Sequence, residues 1–318
     1  MRSISIITPL FNKGAYIEKT ILSVIAQTMT DWEMIVVDDG STDGSTDIVR
    51  RYAAKDGRIR LHERVNARGP GSARNHGIAL STGNWVLFLD ADDLMESTHL
   101  ENLAGEARRH PSAKIVAGWY QRFNDKEPDV LVQIPPAGLG KSHQALLDFA
   151  IAFGPWAPHA AIVSRDVLLG QFLWDEKDFF GEDTAFWFRL LCFYKPGFCD
   201  NRGALYRYQS ADCRTNSQSA AWRRGHHVQV MQNLTFMERN QLPVTSGQCD
   251  NLMRIYLNFY DLAVKSGDSE TAAWSMQEAK RWLDDYFKCP GRHSLKMRIR
   301  KFAGLARIQA CLAYLKRK

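Results

Sequence analysis

The chain has 318 residues, of which 45% are hydrophobic and 24% charged, enough apolar content for one large core or two moderate ones. Its net charge of +6 is local: ten basic residues follow Asp285 with no acid among them, leaving 31 basic against 35 acidic side chains and a formal charge of −4 over residues 1–285. That distribution excludes a general nucleic-acid-binding surface, so no nucleic-acid partner is expected. The first strand is predicted over 3–8, leading through Pro9-Leu10-Phe11-Asn12 into a helix with Ile17, Ile21, Val24 and Ile25 on one face. Trp32–Val37 reads as the second strand, and Ser41-Thr42-Asp43 as capping residues for a helix running to about Tyr52. A third strand is expected at Ile59–Glu63, a helix at Ser72–Leu80, a fourth strand at Trp85–Leu89, a helix at Ser97–Arg109 and a fifth strand at Lys114–Tyr120.

This alternation predicts an α/β fold with a mostly parallel, Rossmann-like sheet and helices on both faces. From about residue 121 the rhythm breaks at Pro135-Pro136, Gly138, Gly140 and Gly154-Pro155-Trp156-Ala157-Pro158. Ala160–Ser164 is a further strand, Glu182–Phe193 a helix, and Gly203–Tyr208 a return to the sheet. Beyond Ser219 helices are expected over Val228–Glu238, Gln248–Val264 and Glu270–Tyr286, with a final stretch from Ser294. The expected division is 1–218 as one domain, itself split at 120/121, and 219–318 as a helical region.

Two stretches carry the chemistry. Val86-Leu87-Phe88-Leu89 is a buried-strand run ending in Asp90-Ala91-Asp92-Asp93, and Met34-Ile35-Val36-Val37 ends likewise in Asp38-Asp39-Gly40-Ser41. In open α/β sheets ligands bind beyond the carboxyl ends of the strands. Carboxylates placed there can hold a metal ion and, through it, a phosphate-bearing ligand. The six cysteines form neither CxxC pairs nor a dense framework, which fits reduced thiols better than a zinc site. The chain starts directly with a strand pattern and has no apolar run of membrane-spanning length, so a soluble protein facing the cytoplasm is expected.

In order, Thr8-Pro9-Leu10-Phe11-Asn12, Val37-Asp38-Asp39-Gly40-Ser41-Thr42-Asp43, Gly71-Ser72-Ala73-Arg74-Asn75-His76-Gly77, Asp90-Ala91-Asp92-Asp93 and Gly181-Glu182-Asp183-Thr184-Ala185-Phe186-Trp187-Phe188-Arg189-Leu190 resemble the motifs of the family 2 glycosyltransferases, which have the GT-A fold. The resemblance covers roughly residues 3–217 and implies an inverting, metal-dependent transfer of a sugar from a nucleotide-sugar, a UDP-sugar, to a saccharide or lipid-linked saccharide in bacterial surface-polysaccharide assembly. It implies that Pro9 and Phe11 frame the base, that Asp39 accepts from the uracil imide, and that Arg74, Asp90, Ala91 and Asp92 lie along the donor. Asp92, with Asp90 beside it, would hold Mn2+ or Mg2+. Asp183 matches the catalytic base, and Glu182, Trp156, His159 and Trp187 are acceptor-contact candidates.

Plainer readings stand beside these: core packing for Phe11 and the tryptophans, a surface ion pair for Arg74, and a helix-dipole partner for Glu182-Asp183. The family's usual Tyr is replaced by Phe11, and Gln209 stands where a His or Arg often occurs, so no His metal ligand is carried over. Arg214 and Ser217 are candidates to cover the diphosphate. In the tail, Leu295, Ile299, Phe302, Leu305, Ile308, Leu312 and Leu315 follow helical spacing among Lys and Arg, the pattern of a helix lying on an anionic membrane surface or packing on preceding helices. A nucleotidylyltransferase is a poorer match, since Pro9–Gly14 lacks a basic glycine-rich loop; a non-catalytic saccharide- or membrane-binding module on the same fold is the other alternative.

Overall fold

The computed structural model describes residues 3–64, 69–124, 126, 131–170, 172–176, 181–208 and 220–288. Arg214, Ser217, Gln209 and the tail stripe from Leu295 lie outside the described residues. The chain divides into two compact units, Met1–Lys141 with Gly154–Asn216, and Ser142–Phe153 with Ser217–Lys318.

The first unit begins with β1 (Ile4–Leu10), α1 (Ile17–Ile25), β2 (Trp32–Asp38), α2 (Ser45–Ala53), β3 (Ile59–Glu63), α3 (Pro70–Leu80), β4 (Trp85–Phe88), β5 (Leu94–Met95) and α4 (His99–Arg109). It continues with β6 (Ile115–Ala117), β7 (Tyr120–Phe123) and β8 (Val132–Ile134). After α5 (His143–Ala150), which belongs to the second unit, come a short 3-10 turn at Pro158–Ala160, β9 (Ala161–Ser164), α6 (Arg165–Gly170), α7 (Glu182–Leu191), β10 (Gly197–Phe198) and β11 (Ala204–Arg207).

Seven strands form one sheet in the order β10-β6-β9-β4-β1-β2-β3. It is parallel except at β9, which runs antiparallel to both β4 and β6. The residues of β2 are buried without alternation, as expected of a strand covered on both faces. Close cover is possible because α3 presents Gly77 to β1: a Cβ there would lie 2.4 Å from Ile7 Cγ2. Glu33 is buried within β2, yet its Oε1 accepts from the Ser5 hydroxyl at 2.6 Å and the Thr82 hydroxyl at 2.7 Å, and its Oε2 meets Arg60 at 2.7 Å. Burial alone would raise its pKa, but those partners hold it below the ordinary value.

The structure changes three expectations. The predicted strand over 114–120 breaks at Gly118, where a Cβ would stand 2.7 Å from the Asn201 carbonyl oxygen, and the chain crosses into a second sheet. That sheet has the order β5-β11-β7-β8, so 203–208 returns to it and not to the large sheet. The helix after β2 starts later than its apparent caps suggest. Gly44, at φ 85°, is the residue before its first turn, and Asp43 instead accepts from the Ser45 hydroxyl at 2.6 Å and from the Gly14 amide at 2.7 Å.

In the second unit, α5 groups with α8 (Ala220–Arg239), α9 (Ser246–Lys265) and α10 (Ser269–Lys288). Thr245 and Gln248 form a capping box at the start of α9. Thr245 also donates to Asp148 at 2.6 Å, tying α9 to α5. No helix among the described residues is long and apolar enough to cross a membrane.

Candidate active site

Adjacent parallel strands end on the same side, so β2, β1 and β4 deliver Asp38-Asp39, Phe11-Asn12 and Asp90–Asp93 to one rim of the sheet. Asn12, with φ 52°, staples two of these ends together. Its amide donates to Ser41 Oγ at 3.0 Å, and its Oδ1 accepts from the Thr42 amide at 2.8 Å. Phe11 is 53% exposed, leaving its ring face open, and Pro9 is half-buried in β1 beside it.

Asp38 and Asp39 divide their work. Asp38 closes the turn, accepting from the Ser41 hydroxyl at 2.5 Å and the Thr46 hydroxyl at 2.7 Å. Asp39 Oδ2 accepts from the Gly69 amide at 2.9 Å, and Oδ1 lies 3.2 Å from Arg64 Nε. Each carboxylate oxygen has a second lone pair, which is what recognition of an imide N–H would use.

Arg74 is the structural centre. It is 3% exposed, within α3, inside the span of the helix predicted over 72–80. Its guanidinium meets Asp90 Oδ1 at 2.6 Å and Glu182 Oε1 at 3.2 Å. It also lies 4.2 Å from the ring centroid of Trp174, which is stacked on Phe186. Burial disfavours its charge, but Asp90, Glu182 and Asp183 outweigh that and raise its pKa. Arg74 thereby joins the acidic strand end to the start of α7. It is neither a surface ion pair nor open to a donor along its length.

Asp183 follows Glu182 at that helix start. Its Oδ1 accepts from the Thr184 amide at 2.8 Å, and a Cβ placed on Gly154 would lie 3.7 Å from Oδ2. Burial pushes its pKa up, opposed by the Thr184 amide and Arg74. Glu182 itself is buried against Arg74, so its expected acceptor contact gives way to an internal ion pair.

Three other acceptor candidates are corrected by their burial. Trp187 is 0% exposed, with Trp156 and Phe186 packed edge-on to it, and Trp156 also meets Phe198. His159 is sealed behind the acidic turn, with Nδ1 3.2 Å from Asp93 Oδ2. None presents a ring face to a saccharide.

The acidic turn is held from inside. Asp93 is 1% exposed, and its Oδ1 accepts from the Arg207 amide at 2.8 Å. Burial and the neighbouring carboxylates of Asp92 and Asp90 push its pKa well up. Arg207 Nε donates to the Asp92 carbonyl at 2.7 Å, and its guanidinium lies over Tyr16 and Phe123. Thr20 Oγ1 is 2.9 Å from the carbonyls of both Ala91 and Asp93, so Ala91 serves the turn through its backbone.

That leaves Asp90 and Asp92 partly exposed. Asp92 Oδ2 lies 2.8 Å from Lys13 Nζ. No group of three or more His, Cys, Asp or Glu among the described residues is placed to hold a metal ion. Two hard carboxylates fit a Mg2+ or Mn2+ ion whose remaining ligands are phosphate oxygens and water, the usual arrangement for such ions with nucleotides. Lys13, Trp174, Asp93 and Arg207 are the residues that sequence reasoning missed as site components. Asp93 closes the acidic motif and Lys13 follows Asn12, so those two had motif positions that could have flagged them.

Residues 5–169 match the family described as Glycosyl transferase family 2. The uncharacterized glycosyltransferase EpsJ of Bacillus subtilis (strain 168) is 37% identical over 131 residues, 41% of this chain and 38% of that protein. The putative teichuronic acid biosynthesis glycosyltransferase TuaG of the same strain is 43% identical over 98 residues, 31% of this chain and 39% of that protein. The matched segments thus span less than half the length of these relatives. Among solved structures, S. aureus TarS 1-349 in complex with UDP-GlcNAc superposes with a TM-score of 0.59 at 16% identity, covering 88% of this chain and 92% of that one. The mannosyltransferase PcManGT from Pyrobaculum calidifontis, in complex with GDP-Man and Mn2+, gives 0.55 at 19% identity, covering 99% and 84%.

Proposed function

The chain belongs to glycosyl transferase family 2, and from that premise we propose that it transfers a sugar, with inversion, from a UDP-sugar to a hydroxyl of a saccharide or lipid-linked saccharide. The observation that carries this reading is the span of Arg74: one guanidinium reaches both Asp90 at the strand end and Glu182 beside Asp183. That guanidinium and Asp90 both act on the charge of Asp183, which supports reading a donor-side acid and a base as parts of one site. In support, TarS is seen with UDP-GlcNAc and PcManGT with GDP-Man and Mn2+.

In this reading Phe11 and Pro9 receive the base and Asp39 accepts its imide proton. Asp90 and Asp92 would hold Mn2+ or Mg2+, which neutralises charge on the departing diphosphate. Asp183 takes the proton of the acceptor hydroxyl as its oxygen bonds to the anomeric carbon from the face opposite the leaving group. The bond from that carbon to the diphosphate oxygen breaks, and the nucleoside diphosphate departs with the electron pair. A carboxylate with a raised pKa is a stronger base than an ordinary one, which suits this step. The acid-free tail would hold the enzyme peripherally on the inner face of the cytoplasmic membrane, near a lipid-linked acceptor.

The test is a donor panel: the protein with Mn2+ and UDP-, GDP- and dTDP-sugars, following thermal shift and slow hydrolysis. One UDP-sugar is expected to stabilise the protein and to be hydrolysed only with metal. A response restricted to GDP-sugars would overturn the uracil assignment, and no response to any donor would overturn transfer.

A further inference from the structure

Three carboxylates crowd into four residues at the end of β4, and each has a separate answer to its charge. Asp90 has Arg74, and Asp93 is buried against the Arg207 amide and His159. Asp92 has Lys13, whose ammonium lies 2.8 Å from Oδ2 with both side chains about one-fifth exposed. An ammonium at that distance takes up one of the lone-pair directions through which the same oxygen would bind a divalent cation.

We propose that Lys13 is a resident counter-ion at the cation position of Asp92, so that metal and diphosphate bind to this site cooperatively. The inference rests on the reading of Asp92 as a metal ligand. A cation entering alone meets the repulsion of that ammonium, which Lys13 relieves by swinging away into water. When a diphosphate enters with the metal, its oxygens give the displaced ammonium a new partner and complete the cation's ligand shell. The backbone need not move for this. Asn12 is bonded to Ser41 and Thr42, Lys13 O accepts from the Tyr16 and Ile17 amides, and the lysine stem has rotatable bonds enough to swing its charge. The Tyr16 ring meets two cations, with its centroid 5.7 Å from Lys13 Nζ and 4.9 Å from the Arg207 guanidinium, which favours keeping the amine near the turn. Cooperativity of this kind is reciprocal: the factor by which the diphosphate tightens the metal is the factor by which the metal tightens the diphosphate.

The test titrates Mn2+ into the whole protein by electron paramagnetic resonance, with and without UDP, for wild type, Lys13→Ala, Lys13→Arg and Asp92→Asn. Lys13→Ala is expected to bind Mn2+ alone about fivefold more tightly, the scale of a partly exposed ion pair removed as competitor. The enhancement of Mn2+ affinity by UDP shrinks by at least that factor, while Lys13→Arg behaves as wild type. A folding defect cannot mimic tighter metal binding. If Lys13→Ala changes neither quantity while Asp92→Asn abolishes Mn2+ binding, the counter-ion role is overturned and the metal assignment survives. If Asp92→Asn binds Mn2+ normally, both are overturned.

Discussion

Asp183 and Arg74 show how a single side chain acquires a role from its surroundings. An acid in the first turn of a helix ordinarily does no more than complement the dipole. Here burial raises the Asp183 pKa, Asp90 adds to that rise, and Arg74 and the Thr184 amide restrain it. For a general base, the acid limb of the pH–rate profile should therefore lie above the usual carboxylate range, with activity lost as pH falls through it. Asp183→Asn is expected to lower kcat by at least about a hundredfold, with UDP-sugar affinity unchanged in calorimetric titration. Near-normal turnover in that variant would remove the base assignment. Arg74 offers a lesson in the other direction: placed by its motif near the donor, it is enclosed by Asp90, Glu182 and Trp174 and acts as the fastener between two parts of the site.

Packing between elements sets the positions of these groups to within a methyl group. Gly77 lets α3 lie against β1, and Gly77→Ala would drive a carbon to 2.4 Å from Ile7 Cγ2, a branched core side chain with little room to give. The expected cost is about 1–3 kcal/mol of stability, read as a lower midpoint in urea unfolding. His99, at the start of α4, ties three segments. Its Nε2 donates to the His159 carbonyl at 2.8 Å, and its Nδ1 accepts from Asn201 Nδ2 at 2.9 Å. Burial pushes its pKa down to about 4, against 6.5 for a free imidazole, despite those hydrogen bonds. The unfolded chain thus binds a proton that the folded chain refuses, so this contribution to stability is lost as pH falls from about 6.5 toward about 4. Unfolding curves for wild type and His99→Gln should show a steeper loss in the wild type across that window. Contributions from Asp93 and Asp183, whose raised values act with the opposite sign, are common to both proteins and cancel in the difference.

Across the whole molecule, charge and units follow different boundaries. Residues 1–285 carry a formal charge of −4, and the compensating excess lies in the last 33 residues. The helix at His143–Ala150 belongs with the C-terminal helices, an allocation that the linear pattern does not reveal. If the acid-free tail serves a membrane, co-sedimentation with vesicles containing anionic lipid should exceed that with neutral vesicles and weaken with salt. Removal of 294–318 should abolish it. Equal binding to neutral and anionic vesicles would remove the electrostatic reading.

Period and punctuation in the chain were sufficient for the α/β class, for strands over 32–37 and 85–89 that fall within one residue of β2 and β4, and for the rim where Asp39, Asp90 and Asp92 gather. The physical reason is local: an apolar run ending in acids must be a buried strand meeting solvent, and parallel neighbours must end together. Tertiary structure alone decided what depends on contacts between distant residues. It moved Tyr120–Phe123 and Ala204–Arg207 into a second sheet and sealed Trp156, His159 and Trp187 in the interior. It also turned Glu182 inward to Arg74 and brought Lys13 across 79 positions to Asp92. Aromatic and charged side chains look alike in sequence whether they line a site or support it, because burial and ion pairing are set by residues far away in the chain.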